Sequence, residues 1–378
     1  MILPKEDETM KLTYADYVPS FHCLAGNCPD TCCKDWQIIL NEDDLRRYRA
    51  LDSDLGRQIL ASLVTENGET RFAFTNGHCA LLRPDGLCPI QAELGEQALC
   101  QTCHAHPRFI EEYGASQELS LAVSCPAAAE LLLRRETPLQ FVTETTAEQV
   151  DTPNELEPGL YFALLAARKR AVAIMQEETL AVNDRLALLL IFAERVQMLL
   201  DSRREHLAEA LCREFSDPGS MRRQLLRAKR LQSTDPPFYP CWAVLNQMEH
   251  LTVRFPRLLD AILSREPAPF PPEAYARQQE NLMVYFLFRY FLKAVNDRKL
   301  LPRVESCVFH LLCIRYLYCT AEGKTLDDLI AVCSLYCKEV EHSEENLDLL
   351  LRLFSRGTLR LSYLLSVLDT GKESFHAL

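Results

Sequence analysis

Apolar residues recur at intervals of three and four along most of this chain, the spacing of one helix face. This pattern predicts a helix over residues 42–65, with Asn41 as its N-cap. It then predicts helices over 159–178, 183–214, 219–231, 241–253, 273–297, 301–321, 325–341, 344–354 and 357–369. Residues 36–40 and 70–74 are predicted to be short strands. The fold class that follows is mainly α.

Residues 142–158 interrupt the helical pattern because they are acidic, rich in threonine and broken by proline. We predict a linker there. It would join a cysteine-rich metal-binding domain (residues 1–141) to a helical domain (residues 159–378) that packs on it and shapes the cofactor and substrate site. A length of 378 residues is enough for two or three domains.

Composition and charge narrow the function classes. Hydrophobic residues make up 48% of the chain and charged residues 25%, the profile of a soluble globular protein. The formal net charge of −12 argues against a protein that binds nucleic acid unaided, and an acidic surface suits a basic partner.

No targeting or membrane segment is expected. The first ten residues are charged and contain no apolar run, so we predict a cytoplasmic protein. The most apolar stretches, 281–295 and 304–318, carry internal charges and are shorter than the roughly 20 residues that a bilayer requires. Both are predicted to be buried helices.

Cysteines are concentrated in the first third of the chain. Nine of the sixteen lie there: Cys23, Cys28, Cys32, Cys33, Cys79, Cys88, Cys100, Cys103 and Cys125. Without export these are reduced thiols or metal ligands, and thiolates suit both zinc and iron–sulfur centres. Nine candidates exceed one four-coordinate site, so either two centres exist or some of the nine are not ligands. Packed, metal-free thiols are the alternative.

Several of these cysteines have a predicted local setting. Pro84-Asp85-Gly86 is a turn signature, which predicts Cys79 and Cys88 on the two arms of a hairpin. The later cysteines lie on apolar helices and are predicted to be core residues, although Cys333 and Cys337 are one turn apart and could bind a metal together. These later cysteines are Cys307, Cys313, Cys319, Cys333 and Cys337.

Four motifs in residues 21–126 closely resemble the flagellin lysine N-methylase (FliB) family. They are Phe21-x-Cys23-x4-Cys28-x2-Thr31-Cys32-Cys33-x2-Trp36, Cys79-x-Leu81-x4-Gly86-x-Cys88, Gly95-x3-Leu99-Cys100-x2-Cys103-x3-Pro107-Arg108 and Ser120-Leu121-x2-Ser124-Cys125-Pro126. The resemblance implies an enzyme that moves methyl groups from S-adenosylmethionine to lysine ε-amines of flagellin and depends on a [4Fe–4S] cluster. Flagellin and S-adenosylmethionine are the implied partners.

Two absent motifs restrict how such chemistry would work. The chain has no G-x-G turn and no alternation of strands and helices, so a Rossmann site for S-adenosylmethionine is not predicted. The radical-enzyme triplet C-x3-C-x2-C is missing, because Cys32 is followed directly by Cys33. Polar methyl transfer stays open, and an iron with a free coordination position could chelate the donor. We therefore place Cys28, Cys32 and Cys33 in the predicted active site.

A lysine nucleophile must be neutral, and only about one amine in 10³ is neutral at pH 7. A base or a desolvated slot is needed. Asp30, Asp35 and Tyr17 lie near the first cysteine cluster and are candidate bases, with loop capping or packing as the alternative.

Tyr285 and Arg289 share a helix face and are candidates to line the cofactor pocket. The alternative is a buried central helix. The rival function is a non-catalytic zinc or iron–sulfur binding or delivery protein with a helical interaction scaffold.

Overall fold

A computed structural model describes residues 9–34, 37–149, 156–232, 241–263, 270, 273–319 and 324–369. The prediction of a mainly α protein is confirmed, since 58% of the structure is helical. Across these ranges, no helix combines the length and the apolar character needed to cross a bilayer.

The N-terminal region alternates short strands and helices. Its elements are β1 (Thr9–Ala15), β2 (Ile39–Leu40), α1 (Glu42–Arg49), α2 (Asp54–Ala61), β3 (Leu63–Glu66), β4 (Glu69–Phe72), β5 (Phe74–Thr75), β6 (His78–Cys79), α3 (Pro89–Leu94), α4 (Gln101–Ala105), β7 (Arg108–Tyr113), β8 (Ser116–Leu121), α5 (Pro126–Leu133) and β9 (Phe141–Gln149). Residues 38–103 within it form a small core of their own.

The helix predicted over residues 42–65 is two helices. Asn41 begins α1 as predicted, since its side chain accepts from the Asp44 N–H while the Asp44 carboxylate accepts from the Asn41 N–H. Ser53 then caps α2 by accepting from the Gly56 N–H. The break allows a close approach: a Cβ at Gly56 would lie 2.2 Å from the Leu51 carbonyl oxygen, so only glycine fits.

A four-stranded sheet, which sequence periodicity did not reveal, has the order β7-β8-β1-β9. β7 and β8 form an antiparallel hairpin, β8 and β1 run parallel, and β1 pairs antiparallel with β9. Strand β9 occupies the first half of the segment predicted as a linker. Its Phe, Val and Thr residues are typical of a strand, but its acidic composition suggested a connector instead.

Helices fill the remainder of the described chain. They are α6 (Pro158–Met175), α7 (Val182–Asp201), α8 (Ala208–Glu214), α9 (Pro218–Arg230), α10 (Cys241–Leu245), α11 (Arg254–Leu263), α12 (Ala276–Tyr290), α13 (Leu300–Tyr318), α14 (Leu326–Glu341), α15 (Glu344–Ser355) and α16 (Leu361–Asp369). The single helix predicted over 183–214 is interrupted after Asp201, where Arg203 takes a left-handed conformation with φ of 55°. Helix α11 was not predicted.

The sheet and the C-terminal helices share one main hydrophobic core. Side chains from β1, β8 and α5 contribute to it together with those of α6–α16. A buried ion pair joins the two parts, because Arg168 on α6 donates from Nη1 to Glu118 Oε2 on β8 at 2.6 Å. The five late cysteines are buried in this core, as predicted.

Glu305 on α13 makes stability depend on pH. Its side chain is buried, and burial, with a smaller contribution from Glu194, raises its pKa to about 8. Unfolded glutamate has a pKa of about 4.3, so the folded state holds an extra proton between these values. The free energy of unfolding should therefore fall as the pH rises from 5 to 8, by up to about 1.4 kcal/mol per pH unit.

The variant Glu305→Gln should lose this part of the pH dependence, because its amide does not ionise. Denaturant titrations between about pH 5 and pH 8 measure the effect. The exposed Glu209, replaced by Gln, is the matched control and should keep the wild-type slope. A wild-type slope in the Glu305 variant would contradict the prediction.

Candidate active site

The four-stranded sheet brings three cysteine-bearing segments together at one of its ends. The loop with Cys23–Cys33 follows β1, Cys125 follows β8, and Cys100 and Cys103 precede β7. Because β1 and β8 run parallel, their carboxyl ends lie at the same edge. The antiparallel β7 begins beside the end of β8, since Arg108 pairs with Leu121. Segments far apart in sequence therefore meet.

A cavity of about 100 Å³ lies where these segments meet. Seven of the nine predicted cysteines line it, and these are Cys23, Cys28, Cys32, Cys33, Cys88, Cys103 and Cys125. The other two, Cys79 and Cys100, are buried in the small core. The predicted turn at Pro84-Asp85-Gly86 is present, since Gly86 N–H donates to Arg83 O. Cys79, however, pairs with Phe74 of β5, and Cys88 begins α3.

The cavity thiols form two groups. In the first, the Cys33 thiol contacts those of Cys32 and Cys88, and Cys103 interacts with Cys32 and Cys33. In the second, Cys28 and Cys125 interact with each other and with Cys23. Among the described residues, no three Cys, His, Asp or Glu side chains lie close enough to form a metal site as they stand.

Contacts within the first group decide which thiols hold protons. The contact with Cys32, together with burial, raises the pKa of Cys33 to about 12. The contact with Cys33 raises the pKa of Cys88, and that with Cys100 raises the pKa of Cys103. Cys100, which lies outside the cavity in the small core, is the exception, because hydrogen bonding from Cys103 lowers its pKa. Most of these thiols are thus protonated at neutral pH, so a metal that binds them would displace protons.

Charged and polar groups close the other end of the cavity. Lys338 Nζ lies 3.6 Å from Asp30 Oδ2, and Arg254 Nη1 lies 3.4 Å from Asp30 Oδ1. Ser124 Oγ and His342 Nε2 are 2.8 Å apart. Apart from Arg254, these residues line the cavity. Helices of the C-terminal region therefore supply part of its wall.

Two histidines at this end are neutral. Burial, the neighbouring His342 and the cations Lys338 and Arg108 lower the pKa of His106 to about 3. Burial, Arg289 and Lys338 lower the pKa of His342 to about 4. The two rings lie 5.8 Å apart between centroids. This end of the cavity thus disfavours a positive charge that has no carboxylate partner.

The structure separates the three candidate bases. Asp30 lines the cavity, and its backbone oxygen accepts from the Cys28 thiol at 3.4 Å. Tyr17 is buried in the main core and does not line this cavity; burial raises its pKa, which disfavours a role as base. Asp35 lies outside the described residues.

Tyr285 and Arg289 lie behind the cavity and not on its wall. Both are buried on α12. Tyr285 donates its hydroxyl hydrogen to Glu341 Oε1 at 2.7 Å, and Arg289 Nε lies 3.4 Å from the same oxygen. The Arg289 guanidinium also covers the Phe109 ring, 3.6 Å from its centroid. These contacts match the alternative of a buried central helix.

Lys338 and His342 were not predicted to belong to the cavity. Lys338 and His342 are four residues apart at the end of α14, which places them on one side of the helix. In the sequence, His342 has no potential ligand at a suitable spacing, and Lys338 belongs to an ordinary amphipathic pattern. Their partners Asp30 and Ser124 are more than 200 positions away, so local patterns carry no signal of the pairing.

Thiol accessibility tests this arrangement. In metal-free protein, an alkylating reagent should label Cys23 first, because it is the exposed member of the set. Cys79 and Cys100 should be labelled last, together with the fully buried core controls Cys333 and Cys337. Peptide mass spectrometry over a time course gives the order. Early labelling of Cys100 would contradict the placement.

Replacing Arg289 by Met should destabilise the protein by about 3–5 kcal/mol, because the buried Glu341 would lose its cation. Denaturant unfolding measures this loss. The exposed Arg213, ion-paired with Glu209, is the control, and its replacement by Met should cost at most about 1 kcal/mol. Loss of cofactor affinity at unchanged stability would instead favour the predicted pocket role for Arg289.

Comparison with known proteins identifies similar sequences. The family described as the FliB lysine N-methylase C-terminal domain matches residues 168–367, just over half of the chain. Two proteins named lysine-N-methylase, from Salmonella typhimurium and Salmonella choleraesuis, are each 29% identical over 155 residues, which is 39% of this chain and 39% of each relative. The chain thus spans about two fifths of the length of these relatives. The flagellar biosynthetic protein FliU of Salmonella muenchen is 32% identical over 129 residues, 32% of this chain and 76% of that protein. No solved structure matches.

Proposed function

The chain belongs to the FliB lysine N-methylase family, and from this premise we propose that it methylates lysine side chains of flagellin in the cytoplasm, with S-adenosylmethionine as donor. The observation that most supports a reaction site is the cavity where the two halves of the chain meet. Seven cysteines line it, and Lys338 and His342 from α14 complete its wall. The names of the relatives support lysine as the acceptor and the flagellum as the setting.

The cysteine side chains that line the cavity fit the ligand requirement of an iron–sulfur cluster. Such clusters are held by cysteine thiolates, and the cavity presents thiols from several separate elements. We propose Cys32, Cys33, Cys88 and Cys103 as the ligands, because all four line the cavity and the other three each interact with Cys33; the four thiols would draw together around the cluster. A [4Fe–4S] cluster held by all four thiolates would have no open iron position, and it would supply an electron-rich, redox-active centre in the cavity wall. This proposal keeps Cys32 and Cys33 from the predicted active site and leaves Cys28 in the second group of thiols, with Cys23 and Cys125.

The environment of the two histidines supports an amine substrate. A lysine ammonium that enters this end of the cavity meets the same burial that lowers the pKa values of His106 and His342. Its proton would pass to bulk water before the reaction, so that the Nζ lone pair is free. S-adenosylmethionine supplies a methyl group on a sulfonium, whose sulfur keeps the bonding pair as a thioether when the new C–N bond forms. Residues of this chain would thus bind, desolvate and align the two partners.

The direct test incubates anaerobically reconstituted protein with S-adenosylmethionine and flagellin and follows the intact mass of flagellin. Mass should increase in steps of one methylene group. Iron and sulfide analysis of the same preparation should show a cluster. Cys33→Ser and Cys103→Ser should lose most of the iron and at least about tenfold of the methylation rate, as ligand loss removes the centre.

A matched control is available in Cys212 on α8. This half-buried cysteine lies away from the cavity, so Cys212→Ala should keep both iron and activity. Flagellin of unchanged mass in the presence of an intact cluster would reject the enzyme and favour a non-catalytic iron–sulfur protein. A colourless anaerobic preparation with zinc and no iron would instead reject the cluster.

A further inference from the structure

We infer that Lys338 and Asp30 together bind the amino-acid end of the methyl donor, Lys338 through its carboxylate and Asp30 through its ammonium. The inference rests on the proposed function, since it assumes that S-adenosylmethionine enters this cavity. It assigns the donor site to residues of the protein, as opposed to chelation by an iron or a pocket at Tyr285 and Arg289.

The two side chains form a charge pair on the cavity wall. Lys338 Nζ and Asp30 Oδ2 are 3.6 Å apart, and the side chains are only 11% and 15% exposed. Both line the cavity that the cysteines line. The amino-acid end of the methyl donor carries a carboxylate group and an ammonium group on the same carbon atom. A cation beside an anion, both largely shielded from solvent, is therefore complementary to both of its charges.

The balance of charge favours the carboxylate contact. Asp30 faces a second cation, since Arg254 Nη1 lies 3.4 Å from its other oxygen. One carboxylate is thus shared between two cations, which weakens its hold on Lys338. The neighbouring histidines are neutral and add no charge. A ligand carboxylate can therefore contact Lys338 while the ligand ammonium contacts Asp30.

The pair is held in place by the helical region. Glu339, fully buried on α14, accepts from the backbone N–H groups of Leu251 at 2.6 Å and Thr252 at 2.9 Å. These contacts fix the start of α11, from which Arg254 reaches Asp30. Lys338 is the residue directly before Glu339 on α14, so the same contacts also fix its position. The site is preorganised, which limits the entropy that binding must overcome.

The rest of the wall suits the remainder of the donor. Phe21, Leu24, Leu99 and Leu251 offer apolar surface for an adenine ring. The thiols that we propose as cluster ligands line the same cavity. The donor would therefore have its amino-acid end at Lys338 and its other end towards the apolar wall.

Binding of S-adenosylhomocysteine to the full chain, measured by equilibrium dialysis, tests the inference without reference to turnover. Lys338→Met should weaken binding by about 10- to 100-fold, as expected for the loss of a charge-assisted contact. Asp30→Asn should weaken it in the same direction, and Lys338→Arg should restore part of it. Methylthioadenosine, which lacks the amino-acid end, should bind the wild type and Lys338→Met equally well.

Lys293 gives a matched control, because it pairs with Glu111 at 2.6 Å and does not line the cavity. Lys293→Met should leave both affinities unchanged. If Lys338→Met binds S-adenosylhomocysteine like the wild type, or weakens both ligands equally, the inference is overturned while the proposed function stands. If removal of the cluster alone abolishes binding of S-adenosylhomocysteine, chelation by iron replaces the inferred site at Lys338 and Asp30. A wild type that binds neither ligand and methylates nothing overturns the proposed function and this inference together.

Discussion

The parallel pairing of β1 with β8 is the constraint on which the cavity depends. Four residue pairs, from Lys11 with Ser116 to Tyr14 with Leu119, fix the register of two strands that are about a hundred positions apart. Parallel strands end at the same edge, so the loop after β1 and the turn after β8 emerge side by side. The β7–β8 hairpin adds the segment with Cys103. A shift in the register of β1 and β8 would move the cysteine-bearing segments apart, although no cysteine would be replaced.

The cavity is a shared feature of the two halves of the chain. The thiols come from residues 23–125, whereas Lys338 and His342 come from α14, inside the range matched by the family. The ion pair of Arg168 with Glu118 and the contact of Ser124 with His342 hold these halves together. Behind this wall, Glu341 gathers Tyr285, Tyr290 and Arg289 in the core. A buried polar network of this kind costs energy when one partner is lost, so it fixes the position of α14 relative to the sheet.

Local patterns were sufficient for much of the fold. Helices α6, α14, α15 and α16 lie close to their predicted ranges, because an amphipathic stripe depends only on neighbours along the chain. The N-cap at Asn41 was recognisable for the same reason. The sheet was not, because strands gain their stability from partners that are distant in sequence. Strand β9, whose sequence contains two glutamates, resembled a linker until its pairing with β1 was known.

The sequence alone determined the chemical inventory of this protein: nine clustered cysteines, a helical second half and motifs that resemble one family. It could not determine which thiols meet, because spacing along the chain does not define distance in space. Tertiary structure divided the cysteines into two groups and buried Cys79 and Cys100. It also moved Tyr285 and Arg289 into the core and brought Lys338 to Asp30. These outcomes depend on long-range strand pairing and helix packing, which no local window of sequence contains.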